Sequence, residues 1–473
     1  MSRPFLETEQ KALEINLDDD IYGSFAEIGA GQEVARHFFQ VGAAAGTIAK
    51  TMSAYDKVVS DNIYGQEAKG RYVCESRLYK MLDHEYALMQ SRLRTDRPDT
   101  NFFVFADTVA AINYQRTIKG NGWMGLRFQL TPDGEPNDIV LHVKMHDHDN
   151  QLQQQAIGIL GVNLIYACYR YHQNPELMIQ SLKDGLRGRI TVDMVRLSGP
   201  DFEQLDNRLL SLWLVRHGLS EVSVFGPDRQ PMHASEFLYK KHVLVVRGSF
   251  RPPTLVNLDI IKRSFEQFRH EPEVESRKTF LLTEITLDNL LESGELDEQD
   301  FLDRAELLCA LGQTVLISNC QKYRKLIGYL ADYKVQMLGL VIGVRELIDL
   351  ITGKYYENMD GRLLEAFGEV FTRHVRLYAY PAFQEGSEEL IRADNLPIPE
   401  GVKFLYKHLL DSKQIVDIEQ FNPDILHIFS KDVLAQVKTG ESGWEAKVPS
   451  KVADLIKEKC LFGYPVQRME FEY

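Results

Sequence analysis

The chain has 473 residues, of which 44% are hydrophobic and 26% are charged, and its formal net charge is −14. This length exceeds what one hydrophobic core usually serves, so we expect two domains. The acidic balance argues against nonspecific binding to nucleic acid, because neutralising phosphates requires a basic surface. No apolar stretch approaches the roughly 20 residues that span a bilayer, and the opening MSRPFLETEQ lacks the apolar core of a signal peptide.

The cysteines indicate a reducing compartment. They are five, hence odd in number, and they form no C-x-x-C pair, so the sequence predicts neither a disulfide framework nor a structural zinc site. We therefore predict a cytoplasmic protein with no membrane partner and no nucleic-acid partner. We also expect it to form a homo-oligomer.

The first half of the chain mixes helical and strand patterns, and we predict an α+β domain of unassigned role over residues 1–238. An apolar segment that begins at Gly23 is followed by Gly29 and Gly31, after which a helical pattern starts. Alternating or continuous apolar patterns then predict strands near residues 101–109, 122–130, 138–145, 189–197 and 220–225. An amphipathic helix is expected from Asp206 to His217.

The second half, residues 239–473, has a more regular rhythm. Apolar runs such as HVLVVRG, FLLTEIT, TVLISN, MLGLVIG and VRLYAYP alternate with helical patterns. Continuous apolar strands separated by helices of about 10–15 residues predict a parallel sheet covered by helices on both faces. We therefore predict a Rossmann-like α/β domain, whose ligands would lie at the carboxyl ends of its strands.

Residues 243–268, VLVVRGSFRPPTLVNLDIIKRSFEQF, connect the first of these strands to a helix. The strand ends at Gly248-Ser249-Phe250, and Thr254 occupies the expected N-cap position of the helix. A glycine turn allows a phosphate to approach the backbone, and the free amides of the first helical turn form an anion site. Taken alone, the segment fits a plain β–α turn capped by Thr254 equally well.

The pattern Gly-Ser-Phe-x-Pro-x-Thr-x-x-x-Leu resembles the phosphate-binding motif of the nicotinate- and nicotinamide-mononucleotide adenylyltransferases. The family has a histidine where this chain has Asn257. Residues 428–463 are similar to the closing segment of that family, although its Thr and Arg fall on Lys431 and Leu434. Between the two motifs, GLVIGVRELIDLI resembles the family's strand–Ile-Gly–helix segment, with Arg345 where an Asp is usual.

The resemblance implies transfer of AMP from ATP, bound with Mg²⁺, to a nicotinate mononucleotide or a related phosphorylated acceptor. A small-molecule nucleotide is thus the expected partner, and no residue is assigned as a metal ligand. The resemblance places catalytic residues at Arg251, Thr254 and Asn257, and nucleotide-binding residues at Gly248, Ser249, Phe250, Gly343, Ser430 and Lys431. Because Asn257 and Leu434 replace charged positions, the alternative is a catalytically degenerate protein that senses a nucleotide or serves in assembly.

Other constellations have simpler interpretations. Gly29-Ala30-Gly31 lacks the third glycine of a dinucleotide loop and favours a tight turn. The His/Asp cluster of residues 142–149 favours a strand that ends in a polar turn over a metal site. Gly218 is expected to end the helix before it rather than to form a phosphatase motif. Ion pairing is expected for charged residues on or beside the strands of the first half: Arg127, Asp193 and Arg196, near Trp123.

Overall fold

The structure is a computed structural model that describes residues 5–68, 70–116, 118–292, 294–352, 363–371, 374–384 and 386–465. The chain forms two compact units, Met1–Ser223 and Val224–Tyr473. Both are mixed α/β units, and the second is Rossmann-like, as the sequence predicts. Within the described ranges, no helix is both long enough and apolar enough to cross a bilayer.

The first unit contains six strands and seven helices among its described residues. The strands are β1 (Ile21–Ile28), β2 (Ile48–Met52), β3 (Asn101–Ala110), β4 (Asn121–Phe128), β5 (Asn137–Met145) and β6 (Ile190–Ser198). The helices are α1 (Thr8–Asn16), α2 (Glu33–Gln40), α3 (Lys57–Tyr64), α4 (Glu75–Leu93), α5 (Asn150–Arg170), α6 (Pro175–Ser181) and α7 (Asn207–Arg216).

The six strands of the first unit form one sheet in the order β2-β1-β3-β4-β5-β6. The strands β1, β2 and β3 pair in parallel, and β3 to β6 pair antiparallel. Side chains alternate across the sheet, so Phe103 and Phe105 join one core with α2 and α5, whereas Phe102 and Val104 join a second core with α4. The unit is therefore a sheet between two helical layers.

The second unit contains the remaining described elements. Its strands are β7 (Val222–Phe225), β8 (His242–Arg247), β9 (Thr279–Thr286), β10 (Val315–Ser318), β11 (Met337–Gly343), β12 (Val375–Tyr380), β13 (Ala382–Phe383), β14 (Leu390–Ile391) and β15 (Ile415–Asp417). Its helices are α8 (Ala234–Leu238), α9 (Leu255–Arg269), α10 (Leu287–Leu291), α11 (Glu298–Ala310), α12 (Tyr323–Ala331), α13 (Val344–Thr352), α14 (Leu363–Val370), α15 (Lys403–Asp411), α16 (Ser430–Thr439) and α17 (Ser450–Lys459).

The main sheet of the second unit has the order β15-β12-β11-β8-β9-β10-β7. The pairings from β15 through β10 are all parallel. Numbered from β8, the six parallel strands follow the order 3-2-1-4-5-6 of doubly wound dinucleotide-binding folds. The chain reverses direction across the sheet between β8 and β11, which makes the carboxyl ends of these strands the expected ligand crevice.

The boundary between the units falls earlier in the chain than the expected residue 239. The strand β7 is predicted from SEVSVF, but it is hydrogen-bonded into the second sheet beside β10. Residues 224–238, including α8, therefore belong to the second compact unit. Strand periodicity cannot reveal this, because it does not specify which sheet a strand joins.

Candidate functional site

Two glycines lie next to each other at the point where the strand order reverses. Gly248 follows β8, Gly343 ends β11, and the register that pairs Val246 with Val341 makes them neighbours. A Cβ atom added to Gly343 would have no heavy atom of the described residues within 4 Å, so among those residues the backbone there borders open space. This edge of the sheet is thus accessible to a ligand at Gly343.

Gly248 has a different role from the one expected from the motif. Phe250 has a φ of 47° and is only 1% exposed, and its ring lies 3.1 Å from the position of a Cβ on Gly248. The Gly248 amide donates to the Glu284 carbonyl at 3.1 Å. The glycine therefore makes room for the Phe250 ring instead of leaving a gap for a phosphate.

The start of α9 is a capping box. Thr254 is 1% exposed and its hydroxyl accepts from the Asn257 amide at 3.4 Å, while Asn257 Oδ1 accepts from the Thr254 amide at 2.9 Å. Thr254 is the N-cap, as the sequence predicts. Because Oδ1 of Asn257 faces Thr254, its side-chain NH₂ group is the donor left for a ligand.

A second helix begins beside this cap. Ser430 is the first residue of α16, and its hydroxyl lies 3.4 Å from Asn257 Oδ1, although the two residues are 173 positions apart. Lys431 follows and is exposed. The positive ends of two helix dipoles, α9 and α16, therefore converge on one point, with a lysine at its rim.

Arg247, the last residue of β8, forms an ion pair within the sheet. Arg247 lies opposite Glu284 on β9 and forms a two-pronged pair with it, at 2.8 and 3.0 Å. Glu284 is fully buried and also accepts from the Ser318 hydroxyl at 2.6 Å. The Arg247 guanidinium stacks 4.2 Å from the centre of the Tyr323 ring. These contacts hold three adjacent strand ends together.

The charge of Arg251 is also balanced within the fold. Its Nε lies 2.5 Å from Asp300 Oδ1, and the fully buried Arg304 bonds the other oxygen of Asp300 at 2.7 Å. Arg304 in turn donates to the Ser249 carbonyl at 3.1 Å. This network explains how the 249–251 turn is held, and it opposes a role for Arg251 as a phosphate ligand.

One position of the expected phosphate site lacks the charge that the family has there. Leu434, at the position of the family's arginine, packs against the hydrophobic cluster of the C-terminal helices.

The structure thus brings Asn257 and Ser430 together, with Gly248 and Gly343 adjacent at the strand ends. The sequence did not reveal the Arg247–Glu284 and Arg251–Asp300 pairs. The available signal for the first pair was an oppositely charged residue near the end of each of two neighbouring parallel strands, whereas the second pair joins a turn to α11 and left no such signal.

The structure shows the local geometry of several motifs of the first unit. Gly29 has a φ of 104°, and a Cβ there would lie 1.8 Å from the Val109 carbonyl oxygen, so the glycine loop is a tight turn. Asp149 caps α5 by accepting from two of its amides. Gly218 has a φ of 70° just past the end of α7. The expected ion pairs are present: Arg127–Asp138, Arg196–Glu75, and Asp193 with His142 and Lys144.

Comparison with known proteins adds no family assignment. No family model matches the chain, and no curated protein matches it. Similar solved structures include the competence/damage inducible protein CihA from Agrobacterium tumefaciens, at 17% identity over 35% of this chain and 98% of that one, with a TM-score of 0.26. The competence damage-inducible protein A of Klebsiella pneumoniae subsp. pneumoniae matches at 11% identity over 34% and 96%, with a TM-score of 0.26.

A competence-damaged protein superfamily member from Escherichia coli matches at 11% identity over 33% of this chain and 87% of that one, with a TM-score of 0.24. Scores this low carry no argument about activity, so the functional conclusion depends on the geometry of the site.

Proposed function

We propose that the second unit binds a nucleotide, ATP with Mg²⁺ or a mononucleotide, at the carboxyl edge of its parallel sheet. One observation carries the proposal: the N-termini of α9 and α16 converge beside the strands where the sheet order reverses, with Ser430 and Asn257 in contact. Backbone amides at helix N-termini bind phosphate groups without needing a full complement of charged side chains.

The open space at Gly343 supports the same location. The Asn257 NH₂ group and the Lys431 ammonium are the side-chain donors that would contact phosphate oxygens, while the Ser430 hydroxyl donates to Asn257 Oδ1. Mg²⁺ would arrive with the nucleotide and share the charge of its phosphates. These residues fit a bound phosphorylated ligand, and the resemblance to mononucleotide adenylyltransferases implies AMP transfer to a mononucleotide as the reaction.

A second candidate function is nucleotide sensing without transfer. Phosphoryl and nucleotidyl transfer depend on positive charge that stabilises the transition state, and removing one such donor costs about 10²–10³ in rate. Here Arg247 and Arg251 are paired with Glu284 and Asp300, and Leu434 offers no donor. Lys431 supplies a flexible point charge in place of a bidentate guanidinium.

The test is calorimetric titration of the full chain with ATP and Mg²⁺, and with each mononucleotide, together with an assay for pyrophosphate release. We expect ATP binding that weakens about tenfold in Lys431→Ala, the usual scale for losing one charge-assisted contact of about 1.5 kcal/mol. The matched control is Lys438→Ala, which removes an exposed lysine at the other end of the same helix.

Binding with pyrophosphate release supports transfer, whereas binding without release supports sensing. Absence of binding, or equal effects of Lys431→Ala and Lys438→Ala, would contradict the proposed site. Arg251→Ala is a poor probe of the site, because it would also break the pair with Asp300.

A further inference from the structure

A cavity of about 650 Å³ opens in the first unit beside the loop that joins α6 to β6. All seven residues of the loop segment 183–189, KDGLRGR, contribute to its lining, together with Phe5 and Glu7, which precede α1. The rest of the apolar lining consists of buried residues: Leu186, Ile190, Val192 and Leu219. The volume falls within the range of about 300–1,000 Å³ that is typical of small-molecule sites.

Both ends of this loop are anchored in the fold. At its start, the buried Asp184 carboxylate pairs with Lys11 at 2.7 Å, and the Asp184 carbonyl accepts from the Asn163 side-chain amide at 2.8 Å. At its end, Arg189 Nε lies 2.8 Å from Asp147 Oδ2. The charges of Asp184 and Arg189 are therefore balanced within the fold, and the residues between them are held in place before any ligand arrives, which reduces the entropy lost on binding.

The middle of the loop offers free hydrogen-bond donors. Gly185, Arg187 and Gly188 have positive φ angles of 70°, 47° and 79°, and their backbone amides have no hydrogen-bond partner within the described part of the chain. Closely spaced free amides in turns of this kind form concavities that bind anions. A positive φ is uncommon for a residue other than glycine and occurs preferentially at functional sites, and here it falls on an arginine.

Two cations of the lining have no carboxylate partner. The exposed Arg187 guanidinium forms no ion pair or hydrogen bond with any described residue, and the Lys183 ammonium donates to the His217 carbonyl at 2.7 Å. The remaining charged residue, Glu7, is the N-cap of α1 and forms a capping box with Gln10, so the positive end of that helix stabilises its carboxylate. The lining therefore combines an excess of positive charge and free donors with an apolar surface.

We propose that this cavity binds a phosphate monoester that carries an apolar or aromatic group, such as a nucleoside monophosphate. Arg187, Lys183 and the free amides of the loop bind the phosphate oxygens, because charge-assisted hydrogen bonds to phosphate are strong and a guanidinium can bind two oxygens at once. The apolar group packs on the apolar lining and on the Phe5 ring, which is 57% exposed in the structure. The first unit thus has a ligand site of its own, whose existence does not depend on the nucleotide site proposed for the second unit.

The test is hydrogen-exchange mass spectrometry of the full chain, titrated separately with AMP, adenosine and inorganic phosphate. We expect AMP to slow exchange in peptides that cover residues 183–192, and adenosine and phosphate to do so much more weakly, because each lacks one half of the recognised structure. Arg187→Ala should raise the AMP concentration that gives half-maximal protection about tenfold, the usual scale for losing one charge-assisted contact. Arg92→Ala, which removes an exposed arginine near the end of α4, is the matched control and should leave it unchanged.

Arg187→Ala should not affect folding, because the side chain is exposed and alanine retains the Cβ atom. The proposal is overturned if AMP does not protect these peptides, or if protection is equal in Arg187→Ala and Arg92→Ala. Protection by phosphate equal to that by AMP also overturns it, since the apolar lining would then contribute nothing. Lys431→Ala should leave this protection unchanged and Arg187→Ala should leave ATP binding unchanged, so failures of the two proposed sites give different results.

Discussion

Each unit buries a glutamate near the carboxyl end of a parallel strand, and the residue opposite it differs. In the first unit Glu27 on β1 lies opposite Asp107 on β3, and in the second unit Glu284 on β9 lies opposite Arg247 on β8. Both glutamates are at most 1% exposed. Glu27 accepts from the Val34 and Ala35 amides at the start of α2, at 3.0 and 2.9 Å.

The consequence is a difference in protonation. Burial raises the pKa of Glu27 to about 7, and burial together with the Glu27 charge raises the pKa of Asp107 well above its usual range. The first pair therefore holds a proton near neutral pH, because two buried carboxylates cannot both ionise cheaply. The second pair is ionic, since the guanidinium of Arg247 compensates the buried charge. The residue that faces the glutamate on the neighbouring strand, rather than burial alone, therefore distinguishes the two pairs.

The largest effect is expected when the ionic pair is broken. Arg247→Met leaves the Glu284 carboxylate buried without its partner and should destabilise the second unit by about 3–5 kcal/mol. Urea unfolding followed by hydrogen-exchange mass spectrometry would measure this in peptides from β8 and β9. The double variant Arg247→Met/Glu284→Gln should recover much of the loss, and a double variant as unstable as the single one would contradict the role assigned to the pair.

The Glu27–Asp107 pair should make the stability of the first unit fall as the pH rises. Because the folded-state pKa of Glu27 is raised, its contribution is fully present below about pH 4.5 and is lost as the pH rises to about 7. Relative to Glu27→Gln, which mimics the neutral acid, the wild-type unit should lose about 2–4 kcal/mol over that window. The measurement is urea unfolding at several pH values. A difference from Glu27→Gln that stays constant with pH would show that Glu27 ionises normally; Asp19→Asn, at an exposed site, serves as the control.

Substituting the glycines at the strand ends of the two units should also change their stabilities by different amounts. Gly29→Ala forces a side chain onto a positive φ and into the Val109 carbonyl, so we expect a loss of about 1–3 kcal/mol in the first unit. Gly343→Ala meets open space and should change stability by less than about 0.5 kcal/mol. Thermal unfolding of the two variants compares them directly, and equal shifts would refute the distinction between a packed turn and an open edge.

The smallest expected difference between the two units concerns the helix caps. Thr254→Ala removes a buried cap that is part of a two-way hydrogen-bond box and should cost about 1–2 kcal/mol. Asp149→Ala removes an exposed cap of α5 in the first unit and should cost about 0.5–1 kcal/mol. Hydrogen exchange of the first turns of α9 and α5 would test this order, which fails if the exposed cap contributes more.

Much of the local structure follows from the sequence. Apolar runs ending in glycine identify β8 and β11, the polar stretch RHEPEVESRK marks the loop between α9 and β9, and Thr254 is identifiable as a cap. These features depend on periodicity, capping and turn chemistry within about ten residues, so they can be predicted from the local sequence. The alternation of strands and helices likewise predicts the parallel sheet of the second unit.

Only the tertiary structure decides which distant residues meet. The contact between Asn257 and Ser430, the pairing of Glu27 with Asp107 and the membership of β7 in the second sheet all depend on strand order and register. The same holds for the positions of Arg247 and Arg251, whose charges are compensated by residues 37 and 49 positions away. Such pairings arise from packing across the whole unit, because side-chain periodicity fixes the face of a strand but not its neighbour.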